Sequence, residues 1–219
     1  HARGLAAADR VVQARADIAR ALGAEASEII FTSGATEANN MAVLGAARFR
    51  KKYEGRDGVI VFAAEHSCVL GAADALRSEG CRVTVLPVTA QGFADLDALE
   101  QALDERVGLV SLMLANNETG VIQPVADAAN LAKAKGWRVH TDAVQAAGKL
   151  ALSMGALGVD FLTLSAHKFG GPQGVGALVL RPGMDPVPLL RGGGQERRRR
   201  AGNLFLHAPS GRAGRGRIC

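Results

Sequence analysis

Seven apolar runs punctuate the chain: Ile29–Thr32, Val59–Phe62, Val83–Leu86, Leu109–Leu114, Arg138–Thr141, Phe161–Leu164 and Gly176–Leu180. They are rich in β-branched residues, and several are continuous rather than alternating, which fits strands covered on both faces. Between them, apolar residues recur at helical spacing. Leu5–Leu22 opens the chain and Thr36–Lys52 follows the first run; Val69–Ser78, Leu96–Leu103 and Val125–Lys135 follow in turn. Asp95 reads as a cap for the fourth of these segments and Gly136 as a stop for the fifth. Strand–helix alternation of this kind predicts an α/β domain with a mainly parallel sheet. The last two runs are joined only by the Gly170–Gly176 loop, so one edge is expected to run antiparallel.

In such sheets ligands sit beyond the carboxyl ends of the strands. The first run leads into Ser33-Gly34-Ala35-Thr36 and the second into Glu65-His66-Ser67. The fourth leads into Asn116-Asn117-Glu118-Thr119-Gly120, the fifth into Asp142-Ala143-Val144-Gln145 and the sixth into Ser165-Ala166-His167-Lys168. Polar groups therefore crowd one edge of the sheet. SGAT offers free backbone N–H groups at a helix start, which suits a phosphate; it equally suits a plain N-cap at Ser33 or Thr36. Asp142, once buried, needs a cationic or N–H partner, or it caps a helix starting near Ala143. His66 alone fits a surface or core histidine as well as a cofactor group. Lys168, at a strand end in a polar cleft, would lose hydration, which lowers its pKa and frees the amine as a nucleophile. A Schiff-base lysine, a carboxylate for a pyridinium nitrogen and a phosphate cup are the parts that pyridoxal phosphate requires.

Composition supports a folded body and corrects the charge. Of 219 residues 48% are hydrophobic, enough for a real core, and the 4% aromatic content with abundant Ala and Gly suits helices packed tightly on a sheet. Cys68, Cys81 and Cys219 form neither a metal spacing nor an even disulfide framework, and they point to a reducing, cytoplasmic setting. No signal peptide or membrane-spanning run is visible. The net charge of +5 comes from residues 191–219, which hold eight arginines and one acid; the remainder has 18 basic and 20 acidic residues, a balance of −2. Nucleic-acid binding is therefore not expected from the basic balance. The tail, with Phe205 as its one aromatic, is a poor RNA-contacting segment.

The segments FTSGATEANN (31–40), EHSCVL (65–70), NNETGVIQP (116–124), HTDAVQAAGK (140–149), SAHKFGGPQGVGAL (165–178) and GGGQERRRRAG (192–202) together resemble the class V, fold-type I pyridoxal-phosphate enzymes. Within that class they resemble the cysteine desulfurases that supply sulfur for iron–sulfur clusters, in the family's order and spacing. The resemblance covers residues 1 to about 203. It implies a three-layer α/β/α large domain with a mainly parallel, mixed sheet of about seven strands. It further implies that Lys168 carries the cofactor and removes the Cα proton of L-cysteine. Asp142 would pair with the pyridine nitrogen, His66 would stack on the ring, and Gln145 would bond the phenolic oxygen. Ala35, Thr36, Ser165 and His167 would hold the phosphate, and Asn117 would sit beside ring and substrate. Alanine would leave, and sulfur would pass through an enzyme persulfide to an acceptor or cluster-scaffold protein. A homodimer is implied as well.

The chain also departs from the family. The family's attacking cysteine and the arginine that grips the substrate carboxylate lie downstream of the matching segments. None of Cys68, Cys81 and Cys219 occupies the attacking position. HARG resembles the end of a longer N-terminal segment, and Asn203 stands where a phosphate-reaching Thr is usual. Residues 204–219 resemble nothing in the family. The expectation is a large domain over 1–203 and a disordered, frame-shifted or truncated Arg/Gly-rich tail. The small domain would then be missing and turnover impaired. The competing expectations are another class V aminotransferase or lyase, and an inactive cofactor-binding fragment.

Overall fold

A computed structural model describes residues 2–190, and His1–Leu189 form one compact unit. Its elements are α1 (Ala2–Leu22), β1 (Ile29–Thr32), α2 (Ala35–Glu54), β2 (Gly58–Phe62), α3 (Ser67–Ser78), β3 (Arg82–Leu86), α4 (Leu96–Ala102), β4 (Val107–Ser111), α5 (Val125–Ala134), β5 (Arg138–Asp142), α6 (Met154–Leu157), β6 (Phe161–Ser165) and β7 (Gly176–Leu180). All seven expected strands form one sheet, in the order β1-β7-β6-β5-β4-β2-β3. The expected caps hold too: Asp95 Oδ1 accepts from Ala98 N–H at 2.9 Å, and Gly136 takes a positive φ of 74° after α5.

The antiparallel strand is not at the edge. β7 lies between β1 and β6 and runs against both, while β2 to β6 pair in parallel. The short return from β6 lays β7 beside it, and β1 then adds outside β7. The fourth strand is also shorter than its apolar run. It ends at Ser111, although Leu112 N–H still bonds His140 O at 3.1 Å and Leu114 N–H bonds Asp142 O at 2.9 Å.

Helices cover both faces, as the continuous apolar runs require. One face presents Val110, Leu112, Val139, Leu162, Leu164 and Val179 to α4, α5 and the end of α1, with Leu99, Ala128, Ala132 and Trp137 among the residues that fill the layer. The other presents Val59, Val61, Leu109, Phe161 and Leu178 to α2 and α3. Ala38, Ala42 and Ala46 of α2 keep that helix close to the strands. The opening helix behaves differently from its pattern. Only its last turn is buried, through Ala19 and Leu22, whereas Leu5, Val11 and Val12 are 68%, 47% and 60% exposed.

Side chains alternate between faces along a strand. On the α2/α3 face, the early strand positions Val59, Leu109 and Phe161 are apolar. The later positions on the neighbouring strands, Ser111, Asp142, Thr163 and Ser165, are polar and buried. The polarity of this face thus rises toward the carboxyl edge, where the expected site residues lie.

Candidate active site

Asp142 ends β5 and is 5% exposed. Its Oδ2 accepts from Asn39 Nδ2 at 2.6 Å, and its Oδ1 accepts from Val144 N–H at 2.9 Å. The carboxylate finds its N–H donors, but no helix starts near Ala143: Oδ1 closes a turn after β5, and Oδ2 takes the Asn39 amide. The donors are neutral. Burial raises the Asp142 pKa, the Val144 amide and Asn39 oppose the rise, and the charge of His66 opposes it further.

Asn39 was not singled out from the sequence. It is fully buried on α2, and its Nδ2 also lies 3.2 Å from Cys68 Sγ. The signal that could have found it is a polar side chain four residues before Val43 on the helix face that also carries Ala42 and Ala46.

A buried polar line runs alongside. Ser111 Oγ donates to Glu65 Oε1 at 2.7 Å. Ser111 Oγ lies 2.8 Å from His140 Nδ1, and His140 Nε2 lies 3.2 Å from Thr163 Oγ1. Burial pushes Glu65 up to about 8; Ser111 opposes the rise, and the charge of Asp142 adds to it. Burial alone holds His140 down at about 3. Sequence reading named Glu65 only as a strand exit and assigned no role to Ser111, His140 or Thr163.

Beyond the strand ends opens a cavity of about 470 Å³, with Glu65, His66, Val88, Asn116, Asn117 and Thr119 in its wall. His66 is exposed and caps α3: its Nδ1 accepts from Cys68 N–H at 3.2 Å and lies 3.1 Å from Cys68 Sγ. Burial raises the Cys68 thiol, with Asn39 opposing, so this cysteine is not activated as a thiolate. Asn116 closes the loop that carries Asn117. Its Oδ1 accepts from Glu118 and Thr119 N–H, both at 2.9 Å, and its Nδ2 donates to Ala64 O at 3.0 Å. Asn117 is left exposed, donating to Glu118 Oε1 at 2.8 Å.

At the start of α2, neither Ser33 nor Thr36 caps the helix. Gly34 takes the cap position, and Ser33 N–H and Oγ both donate to Glu37 Oε2 at 2.7 Å. The N–H groups of Ala35 and Thr36 meet no acceptor among the described residues, so they are available to an anion. Gly34 has φ +156°, and β7 passes directly beneath it: a Cβ on Gly176 would sit 2.6 Å from the Gly34 carbonyl carbon. The turn can approach the sheet this closely because Gly176 has no Cβ, while a Cβ on Gly34 would meet no atom within 4 Å.

Ser165, buried at the end of β6, lies 3.0 Å from His167 Nδ1. Lys168 follows in a short 3-10 turn, Ala166–Phe169, and is exposed. The expected desolvation of its amine is not found in this chain, because the turn lifts Lys168 clear of the strand end. Gln145 is half-buried, and its Oε1 accepts from Lys149 Nζ at 3.0 Å. No direct hydrogen bond joins Lys168, Gln145 or Asn117 to Asp142 among the described residues.

These groups fit a phosphorylated pyridine aldehyde. Asp142 is a buried carboxylate whose hydrogen-bond partners are neutral, so a protonated ring nitrogen would supply the missing positive charge. Free helix N–H groups stand ready for a phosphate, and Lys168 offers a primary amine. Asn39 Oδ1 and Glu65 Oε2 are buried without partners. Among the described residues no group of three or more His, Cys, Asp or Glu could hold a metal ion, and no helix is long and apolar enough to cross a membrane. Motif GGGQERRRRAG and the tail from 204 lie outside the described residues.

The family model for aminotransferase class-V matches residues 1–210. Among curated proteins, cysteine desulfurase IscS of Rickettsia bellii (strain OSU 85-389) is 44% identical over 206 residues, covering 93% of this chain and 50% of that protein. The mitochondrial cysteine desulfurase of Drosophila melanogaster is 46% identical over 209 residues, covering 93% and 44%. Among solved structures, a NifS-like protein superposes with a TM-score of 0.86 at 41% identity, covering 91% of this chain and 55% of that one. A structure described as SspA in complex with cysteine gives 0.84 at 39% identity, covering 90% and 56%. The chain spans about half the length of the curated relatives it matches.

Proposed function

The chain belongs to the aminotransferase class-V family, whose members use pyridoxal phosphate, and on that premise we propose that it is the cofactor-binding large domain of a cysteine desulfurase. The observation that carries the reading is Asp142: a buried carboxylate held by neutral donors at the carboxyl edge, in a sheet that also brings free helix N–H groups and Lys168 to that edge. The boundary at 203, the tail and the site roles belong to the same reading.

Pyridoxal phosphate, when bound, supplies an aldehyde for amines and an electron-withdrawing ring that stabilises negative charge at a substrate Cα. Asp142, fixed by Asn39 and Val144 N–H, would hold the proton on the ring nitrogen. Ala35 and Thr36 N–H, with Ser165 and His167, would bind the phosphate. His66 would present its ring to the cofactor face, and Gln145 would bond the phenolic oxygen once released from Lys149. Lys168 Nζ would anchor the cofactor and then move the proton at the Cα of L-cysteine. Asn117, on the cavity wall, would orient the substrate.

The exposed apolar residues Leu5, Val11 and Val12 of α1 support a homodimer that covers them. A sulfur-acceptor or cluster-scaffold protein would take the product sulfur in iron–sulfur assembly. The free thiols Cys68 and Cys81 support a reducing compartment, read as cytoplasmic.

The test loads the full 219-residue chain with pyridoxal phosphate, reduces it with borohydride and locates the fixed cofactor by mass. Cofactor on Lys168 is expected. Alanine release from cysteine is expected near background, because no cysteine of this chain holds the family's attacking position. Cofactor on another lysine, or none, refutes the reading; robust alanine release refutes the impaired turnover.

A further inference from the structure

Glu65 is the acid that the proposed chemistry leaves unused. It is 6% exposed, forms part of the cavity wall, and has one carboxyl oxygen buried without a partner. Its other oxygen accepts a hydrogen bond from Ser111 Oγ–H. That donation fixes the rest of the line. Ser111 Oγ must then accept from His140 Nδ1–H, and His140 Nε2 is left to accept from Thr163 O–H. Every hydrogen bond in the line points toward Glu65. Thr163 pairs in register with Asp142, and His140 precedes Asp142 by two positions on the same strand face. The line therefore reaches across β4, β5 and β6 to the strand position of the carboxylate that faces the ring.

The charged and titratable groups around Glu65 are few. β5 contributes His140 and Asp142, the start of α3 contributes His66 and Cys68, and the 116–120 loop contributes Glu118 across the cavity. No lysine or arginine is among them. Two buried carboxylates with no lysine or arginine beside them, and only the exposed His66 to offset them, cannot both ionise cheaply, so one keeps its proton.

We propose that Glu65 is a positioning residue for the cofactor site: a neutral carboxylic acid that anchors the Ser111–His140–Thr163 line and leaves Asp142 as the one anion of this sheet face. Burial pushing Glu65 up to about 8 accords with this. At pH 7 Asp142 is thereby free to carry the single negative charge that a protonated ring nitrogen needs. Above that value a second anion appears beside it. The role toward the ring rests on the cofactor reading given above.

The experiment compares full-length wild type with Glu65→Gln, which keeps shape and neutrality, and Glu65→Ala. Without cofactor, infrared difference spectra at pH 7 should show a neutral carboxyl band in wild type that Glu65→Gln lacks and that fades near pH 8. On folding at pH 7 wild type should take up about one proton more than Glu65→Gln. With pyridoxal phosphate bound, the cofactor absorbance of wild type should change between pH 7 and 9, and that of Glu65→Gln should not. Glu65→Ala should bind cofactor about tenfold more weakly at pH 7, and Glu65→Gln should match wild type. An absent carboxyl band, or an absorbance change that Glu65→Gln retains, overturns the role of Glu65. Wild type that takes up no pyridoxal phosphate overturns the cofactor reading, and with it the role toward the ring, whatever the infrared result.

Discussion

The two faces of the sheet are built from the same strands and differ in one respect. The face under α4, α5 and the end of α1 is apolar at its centre, from Val110 to Leu112 and from Leu162 to Leu164. The face under α2 and α3 is apolar only at its start and then carries Ser111, His140, Asp142, Thr163 and Ser165, all buried. Alternation along β4, β5 and β6 separates these sets, so one strand can stabilise with its even positions and bind with its odd ones, or the reverse. Burying the polar set costs desolvation, visible in the raised Glu65 and Asp142 and the lowered His140.

Substitutions can break this division. Lys168→Ala, at the edge the polar face feeds, should abolish borohydride-fixed cofactor completely while leaving the melting curve unchanged, since the side chain is exposed. Leu162→Ala, on the apolar face and fully buried, should lower unfolding free energy by about 2–5 kcal/mol in urea titrations and leave cofactor affinity of the folded fraction intact. A matching loss of affinity would end the division of labour. Asp142→Asn should do the opposite. Affinity for pyridoxal phosphate should fall about 10–100-fold, as for loss of a charged hydrogen-bond partner, with stability at pH 7 unchanged or higher. The sign follows from the raised pKa: burial makes the ionised carboxylate less favourable in the fold than in the unfolded chain, so at neutral pH removing its charge relieves the fold.

A finer test uses acid. His140 is neutral in the fold down to about 3, whereas in the unfolded chain it takes a proton below about 6.5. Between those values acid favours unfolding by up to about 1.4 kcal/mol per pH unit. His140→Gln should remove that contribution, seen as a shallower acid limb in stability against pH. The smallest effect belongs to neither face. Arg82→Ala removes the surface pair with Asp104, whose side chains are 41% and 48% exposed, and should cost less than about 1 kcal/mol.

Much of this was legible along the chain. β-branched runs marked every strand because both faces need apolar cover, and the polar exits after them marked the carboxyl edge. What stayed hidden depends on contacts between distant residues. Asn39 looks like any helix polar residue until α2 lands on β5, 103 positions away in sequence. Glu65 and His140 are ordinary residues until the fold buries them together. The place of β7 inside the sheet depends on β1 joining from the far end of the unit. Lys168 reads as desolvated at a strand end, yet it lies in the turn just past β6 and is exposed, because the two positions look alike in sequence while differing in exposure.

That last pairing sets an order of events. Ile29 meets Val179 across about 150 residues. A chain growing at 5–20 residues per second would hold its first strand without a neighbour for roughly eight to thirty seconds before the other arrives. The glycine turn after β1 takes its seat only when Gly176 slides beneath it. The start of α2 is therefore among the last parts of the unit to be finished.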